Sequence, residues 1–292
     1  MKKFLINLLG VIVLLLLFFL SYSYYQNKII EEKNKIKIGT TIGAIASILR
    51  EIGADKIEII DLSENAPHAH EIVISPQKLQ QIKEAKIIFA IGANLDDFID
   101  KISSELNIMV YKFDKDVELI KYNKKIVNSH YWLSLKNSKI IATKIATKLI
   151  ELDSKNKDFY IFNLHKFYKE IDGLRKYTTK FSQLKNNKIL VTHPGFDYLA
   201  KELNLEIIGY LKTEEGEGIA PRDLLNLAIK IKENNIKTIF VEKGMIDTTV
   251  LQFAKIYNLK IIELDPLETA LSEQVFTKTL KENIEKLYNN LL

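Results

Sequence analysis

Eight short runs rich in isoleucine and valine, none with an interior proline, fall into two groups of four around a long stretch with almost no strand signal. In the first half they are residues 35–39, 57–62, 86–91 and 108–113; in the second, 188–192, 206–210, 238–242 and 260–264. Continuous β-branched runs of this size are the pattern of strands buried on both faces, as in parallel sheets. Helical segments separate them at 42–52, 76–84, 96–106, 196–203, 221–234 and 248–257. Pro76 and Pro221 stand where such helices begin, and there the missing N–H costs nothing. Strand–helix alternation in each half predicts an α/β chain of two lobes, each a four-stranded parallel sheet flanked by helices.

The stretch between the halves, residues 137–184, has Gly173 as its only Gly or Pro. Ile140, Ile141, Ile145, Leu149 and Leu152 recur at helical spacing, and Asp153-Ser154 reads as a break and a new cap. Phe159, Phe162, Leu164, Phe167, Ile171, Leu174, Tyr177 and Phe181 then continue an apolar face over about seven turns. The expected division is an N-terminal lobe over 35–154, a long rigid linking helix over 155–185 and a C-terminal lobe over 186–292. A stiff helix lets two lobes rock only slightly. A site would lie in the cleft between them, at the C-terminal ends of the strands.

Residues 1–23 read as an address. Lys2 and Lys3 precede an unbroken apolar run from Leu8 to Leu20, the layout of a secretory signal, with Ser21 and Ser23 as small residues before a cleavage point. Counting back through Phe4-Leu5-Ile6 the segment approaches the ~20 residues of a membrane-spanning helix, so a retained anchor is the alternative. Residues 24–34 read as a polar tether. Either way the rest of the chain is expected outside the cytoplasm, periplasmic or tethered to the membrane.

Residue types narrow the chemistry. Among 292 residues there is no cysteine, which excludes disulfides, thiolate metal sites and a cysteine nucleophile, and predicts that the chain is not a lipoprotein. A balance of 42 basic and 37 acidic residues, +5 overall, is too small to suggest a nucleic-acid partner. Imidazole chemistry must come from His68, His70, His130, His165 and His193. His68 lies beyond the second strand, His130 beyond the fourth, and His193 directly after the fifth; Asp265 directly follows the eighth. His165 sits among Phe162 and Leu164 and reads as structural. Three neutral imidazoles and one carboxylate would make a closed tetrahedral Zn²⁺ site with no vacancy for a catalytic water. Each of these histidines taken alone reads more readily as a hydrogen-bonded loop residue than as a ligand.

The order Pro67-His68 with Glu71 and Ser75-Pro76, then His130-Tyr131-Trp132-Leu133, then Thr192-His193-Pro194-Gly195-Phe196-Asp197-Tyr198, then Phe240-Val241-Glu242 and Leu264-Asp265-Pro266-Leu267, resembles the zinc/manganese solute-binding proteins of bacterial ABC importers. Gly39-Thr40-Thr41-Ile42, residues 91–98 and Ala220-Pro221-Arg222-Asp223-Leu224 support the likeness, which runs from about Lys35 to the end. The resemblance implies His68, His130, His193 and Asp265 as metal ligands, Zn²⁺ as the transported ion with Mn²⁺ as the lesser candidate, and a membrane permease as partner. It implies a monomeric receptor and not an enzyme. The manganese branch has a carboxylate where this chain has His193, and imidazole suits zinc. Neutral imidazole ligands imply binding that weakens below roughly pH 6. Two departures stand out: Asn128-Ser129 replaces the usual Asp-Pro, and Lys243 replaces the Pro expected after Glu242. The acidic turn Thr213-Glu214-Glu215-Gly216-Glu217-Gly218 reads as solvated, with a bearing on cleft access as the alternative. Other readings are an exported metal-binding adhesion or docking protein and an exported zinc hydrolase; no H-E-x-x-H or G-x-S-x-G supports the latter.

Overall fold

The computed structural model describes residues 10, 14–23, 25–26, 35–64, 66, 72–122, 126–214, 216–269 and 274–292. The chain divides into two compact units, Met1–Ile36 and Lys37–Leu292. In the first, residues 14–23 are helical and the side chains from Leu14 to Leu20 are exposed. Among the described residues no helix is long and apolar enough to cross a membrane.

The first sheet contains β1 (Ile36–Thr40), β2 (Ile57–Asp61), β3 (Ile87–Ala90) and β4 (Val110–Lys112) in the order β2-β1-β3-β4. Between them run α1 (Gly43–Gly53), α2 (Pro76–Ile82) and α3 (Phe98–Leu106). Ile60, Ile82, Ile88 and Ile99 meet in its core. α1 is buried on nearly every face, from Ala44 through Ile52, because it packs on β2 and on the long helices that follow.

Those helices are α4 (Leu135–Leu152), α5 (Lys157–Leu174) and α6 (Lys176–Ser182), and the last two span the lobes. Asp153 ends α4, and its Oδ2 accepts from Asn156 Nδ2 at 2.6 Å and Tyr160 OH at 2.7 Å, so α5 doubles back against α4. The expected apolar face is met at Phe167, Ile171, Leu174, Tyr177 and Phe181, all buried. Phe162 is the exception at 68% exposed; Tyr160 is buried instead, and its hydroxyl has in half-buried Asp153 the acceptor that a ring with a polar tip needs. His165 is exposed on α5.

The second sheet holds β5 (Lys188–Val191), β6 (Glu206–Tyr210), β7 (Thr238–Glu242) and β8 (Lys260–Leu264) in the order β6-β5-β7-β8. The helices are α7 (Asp197–Glu202), α8 (Pro221–Glu233), α9 (Thr248–Tyr257) and α10 (Phe276–Asn289). Leu227 and Ile231 of α8 and Val250 and Phe253 of α9 cover Ile239 and Val241. Burying an aliphatic or aromatic side chain in this way stabilises the fold by about 1.5–3 kcal/mol. In both sheets the order reverses beside the first strand, and a parallel sheet opens a crevice at such a switch point.

Asp247 caps α9: its Oδ1 accepts from Val250 N at 2.9 Å and its Oδ2 pairs with Lys212 at 2.8 Å. Asp247→Ala should lower stability by about 1 kcal/mol at neutral pH. Burial works to raise the Asp247 pKa, but Lys212 and the backbone N–H groups outweigh it and hold it below 3.8. A depressed carboxylate stabilises the fold above its unfolded value and loses that contribution as the pH falls through its folded one. The gap between wild type and variant in urea midpoint should therefore close as the pH is taken down past 3.8.

The lobes are stapled together. Glu202 of α7 accepts from Ser134 Oγ and Leu135 N at 2.6 Å and from Lys136 N at 3.1 Å, placing a carboxylate of the second lobe at the positive end of α4. Tyr198 OH donates to the Asn128 carbonyl at 2.9 Å and accepts from Ile120 N at 2.8 Å. Glu51 of α1 accepts from Thr277 N and Oγ1, both at 2.9 Å, at the start of α10. All of these bonds must break before a wide opening.

Candidate metal centre

His130 and His193 meet between the lobes, both fully buried, with ring centroids 4.8 Å apart and planes at 80°. His193 is delivered by the register of β5, which ends one residue before Thr192; Thr192 N donates to Phe240 O at 3.0 Å and fixes the exit of that strand against β7. His130 sits in the loop before α4. Asn128 Oδ1 accepts from His130 N at 2.8 Å and holds the turn, while Asn128 Nδ2 donates to the Pro194 carbonyl across the cleft at 2.8 Å. Trp132, also fully buried, donates from Nε1 to the Pro266 carbonyl at 2.8 Å. Asn128-Ser129 therefore shapes this loop through side-chain hydrogen bonds where a proline ring was expected.

Three buried carboxylates converge on the two rings. Glu268 Oε1 lies 3.0 Å from His130 Nε2, and Glu214 Oε1 lies 3.2 Å from His130 Nδ1. Glu242 Oε1 lies 3.1 Å from His193 Nδ1, and the Glu214 carbonyl accepts from His193 Nε2 at 2.8 Å. Glu214, Glu242 and Glu268 are 8%, 1% and 2% exposed. Among the described residues, Glu214 Oε2 and Glu242 Oε2 are buried with no hydrogen-bond partner. A buried carboxylate oxygen without a donor is costly unless a cation or a proton compensates it, so the pocket is electrostatically built for positive charge.

That charge moves the titrations. Burial alone would lower the His130 pKa, but its hydrogen bonds to Glu214 and Glu268 hold it well above the ordinary histidine value. His193 is raised in the same sense: burial is outweighed by the Glu242 carboxylate. Glu214 is lowered, because its bond to His130 outweighs burial. Both rings thus keep their protons to a higher pH than a free imidazole, and a metal bound by them would have to displace a proton.

Of the four expected ligands the structure brings two together. His68 lies outside the described residues, as does His70. Asp265 faces elsewhere: its Oδ2 accepts from Lys243 Nζ at 3.0 Å and Gln274 Nε2 at 2.9 Å, and its Oδ1 accepts from Leu267 N at 2.9 Å. The acid of this turn that meets an imidazole is Glu268, three residues on. Glu268 is held over the cleft by its own carbonyl, which accepts from Gly43 N at 2.7 Å at the start of α1. Among the described residues no three His, Asp or Glu side chains form a complete metal cage. The acidic turn does not read as the solvated loop expected, since Glu214 is buried against both rings. One signal for Glu268 was available: Lys243, standing where proline was expected, is the partner that draws Asp265 away.

Comparison with known proteins agrees with this architecture. The model of the family described as zinc-uptake complex component A, periplasmic (ZnuA), matches residues 38–290. A metal ABC transporter substrate-binding lipoprotein of Lactococcus lactis subsp. lactis (strain IL1403) is 28% identical over 278 residues, covering 88% of each chain. The manganese ABC transporter substrate-binding lipoprotein PsaA of Streptococcus mitis is 27% identical over 278 residues, covering 88% of this chain and 89% of its own. The laminin binding protein Lmb of Streptococcus agalactiae, described as bifunctional with adhesin and metal transporting activity, superposes with a TM-score of 0.81 at 26% identity, covering 88% of this chain and 100% of that one. These are binding proteins and not enzymes. On the strength of a match over nearly its whole folded length, the chain belongs to the ZnuA family of zinc-uptake complex A components.

Proposed function

We propose that the protein is an extracytoplasmic receptor that captures one divalent metal ion, zinc in preference to manganese, between its lobes and delivers it to the permease of an ABC importer. The observation that carries this reading is the convergence of three buried carboxylates on two buried imidazoles where the lobes meet. The proposed ligands are His68, His130 and His193, with a carboxylate from the turn containing Asp265 and Glu268. Glu268 is the better placed of the two, because Asp265 would first have to leave Lys243. Imidazole favours Zn²⁺, and Mn²⁺ prefers oxygen. The ion is cargo, and no chemistry on it is required.

The names of the relatives include the word lipoprotein. None of the 292 residues here is a cysteine, so we take the attachment, where there is one, to be the apolar N-terminal segment and not a lipid thioether. The intact mass of the protein from the membrane fraction should equal the polypeptide mass, with or without residues 1–23; an added diacylglyceryl mass would refute this.

The test of the receptor reading is metal analysis of the protein freed of metal, followed by competitive titration with Zn²⁺ and Mn²⁺. One tight Zn²⁺ per chain is expected, with the affinity falling at least about 100-fold in His193→Ala, the scale of a lost ligand or its supporting partner. An unchanged affinity in that variant, or manganese winning the competition at equal concentration, would contradict the assignment.

A further inference from the structure

The two imidazoles are supported from different places. Behind His193 stands Glu242, and both come from the second sheet, from the ends of the paired strands β5 and β7. That bond is internal to one lobe and survives any movement of one lobe against the other. Behind His130 stands Glu214, and these two come from opposite lobes. Asn128 Oδ1, a neutral amide from the same loop as His130, also lies near His130 Nδ1 at 3.3 Å. A closed cleft therefore brings a carboxylate of the second lobe to His130 Nδ1.

Glu214 is aimed from both sides. At its root, Leu211 N and Lys212 N donate to the carbonyl of Thr192, the residue before His193, at 3.0 and 2.8 Å. Lys212 and Gly218 form an antiparallel bridge, and Thr213 N donates to the Glu217 carbonyl at 2.7 Å. Gly216 turns the chain with φ +82°, a conformation natural only to glycine. At its tip, Ser129 N and Oγ of the first lobe donate to Glu214 Oε1 at 3.0 and 3.1 Å. Glu217 in the same turn is exposed whereas Glu214 is 8% exposed. An acidic turn that sends one carboxylate inward, with Oε2 left unpartnered, calls for a reason beyond folding.

We propose that Glu214 is the positioning residue through which closure of the lobes strengthens the hold of His130 on the metal. The inference rests on the receptor reading above. A carboxylate that accepts from Nδ1–H fixes the tautomer that turns the Nε2 lone pair to the ion, and it orients the ring. When the lobes part to hand over cargo, Glu214 leaves with the second lobe and takes its carboxylate from His130 Nδ1. The ligand of the first lobe weakens as the ion is due to depart.

The test uses the full chain in detergent micelles with Zn²⁺ alone as probe, reading affinity by chelator competition and release by stopped flow. Glu214→Gln and Glu242→Gln should each weaken zinc by about 10–100-fold. Glu202→Ala loosens the lobes at a place that touches neither ring, since its partners are Ser134, Leu135 and Lys136. Combined with Glu242→Gln, its effect on release should multiply. Combined with Glu214→Gln it should fall clearly short of the product, because part of what loosening removes is already gone. Full multiplication in Glu214→Gln, no effect of Glu202→Ala on release from wild type, or wild-type affinity in Glu214→Gln would each overturn the proposal. Should Glu214→Gln fail to fold, Ser129→Ala removes one donor that aims the carboxylate and supports the same cycle in milder form. A wild-type chain that holds no zinc overturns the receptor reading itself, which keeps the two failures distinct.

Discussion

Replacing Gly195 by alanine is expected to weaken zinc binding by about 10–100-fold and to destabilise the fold by about 1–3 kcal/mol, the range for overpacking a filled core. Gly195 is the middle of the short turn Pro194–Phe196 that follows His193. A Cβ there would sit deep inside the contact radius of Glu242 Oε1, 2.9 Å from Cδ and 3.4 Å from Oε2. The carboxylate cannot swing into solvent, being 1% exposed, and its Oε1 is the atom that meets His193 Nδ1. Either the turn carrying His193 moves or Glu242 gives up the imidazole, and both misplace Nε2. Comparison with Glu242→Gln separates the two causes: that variant removes charge without bulk, so it should lose affinity and keep nearly all stability. Chelator competition and urea unfolding measure the pair. A Gly195→Ala protein with wild-type zinc affinity would show that the Glu242–His193 bond does not position the ligand.

The same corner shows what the chain discloses before it folds. The strands are legible because each is a continuous Ile/Val/Phe run, and residues 238–242 and 260–264 are found as β7 and β8 at the expected bounds. His193 is legible for the same reason, since a histidine two residues past a buried strand has nowhere to go but the strand end. Glu268 is not. It differs from Asp265 only by three positions in a turn, and what sets the two apart in the fold is Lys243, just past β7, 3.0 Å from the Asp265 carboxylate. Glu214 hides in a turn rich in glycine and acid, where composition points to solvent. Its burial depends on Ser129 from the other lobe, 85 positions away in the sequence. Phe162 errs in the opposite direction: helical spacing puts it on the apolar face, but on α5 it is Tyr160 that is buried, with its hydroxyl bonded to Asp153. Local patterns set elements and strand ends, whereas pairings between polar and charged groups far apart in the sequence shape the pocket.

The largest loss of stability is expected from a residue that touches no imidazole. Asp96 is fully buried after β3, and its carboxylate accepts from Ile91 N and Gly92 N at 2.7 Å and from Thr41 Oγ1. The turn it holds runs through three consecutive left-handed residues, Gly92, Ala93 and Asn94, and for Ala93, whose N–H donates to Asp114 Oδ2 at 2.9 Å, that backbone is strained. Asp96→Ala strands two backbone donors and a hydroxyl in the dry interior. At about 1–3 kcal/mol for each unsatisfied group, a total of about 4 kcal/mol or more is a large part of the 5–15 kcal/mol that holds a domain together. Asp96→Asn keeps one acceptor oxygen but must point an NH₂ at a donor, so about half that loss is expected. Thr41→Val, which removes one donor and leaves the carboxylate on the two backbone groups, should cost about 1 kcal/mol. Urea midpoints in that order are the check, and an Asp96→Ala protein within about 1 kcal/mol of wild type would refute the account. The turn also bears on the metal. Thr41 leads through Ile42 into α1, whose Gly43 N holds the Glu268 carbonyl at 2.7 Å, so variants that loosen Asp96 should release zinc faster than their remaining stability alone explains.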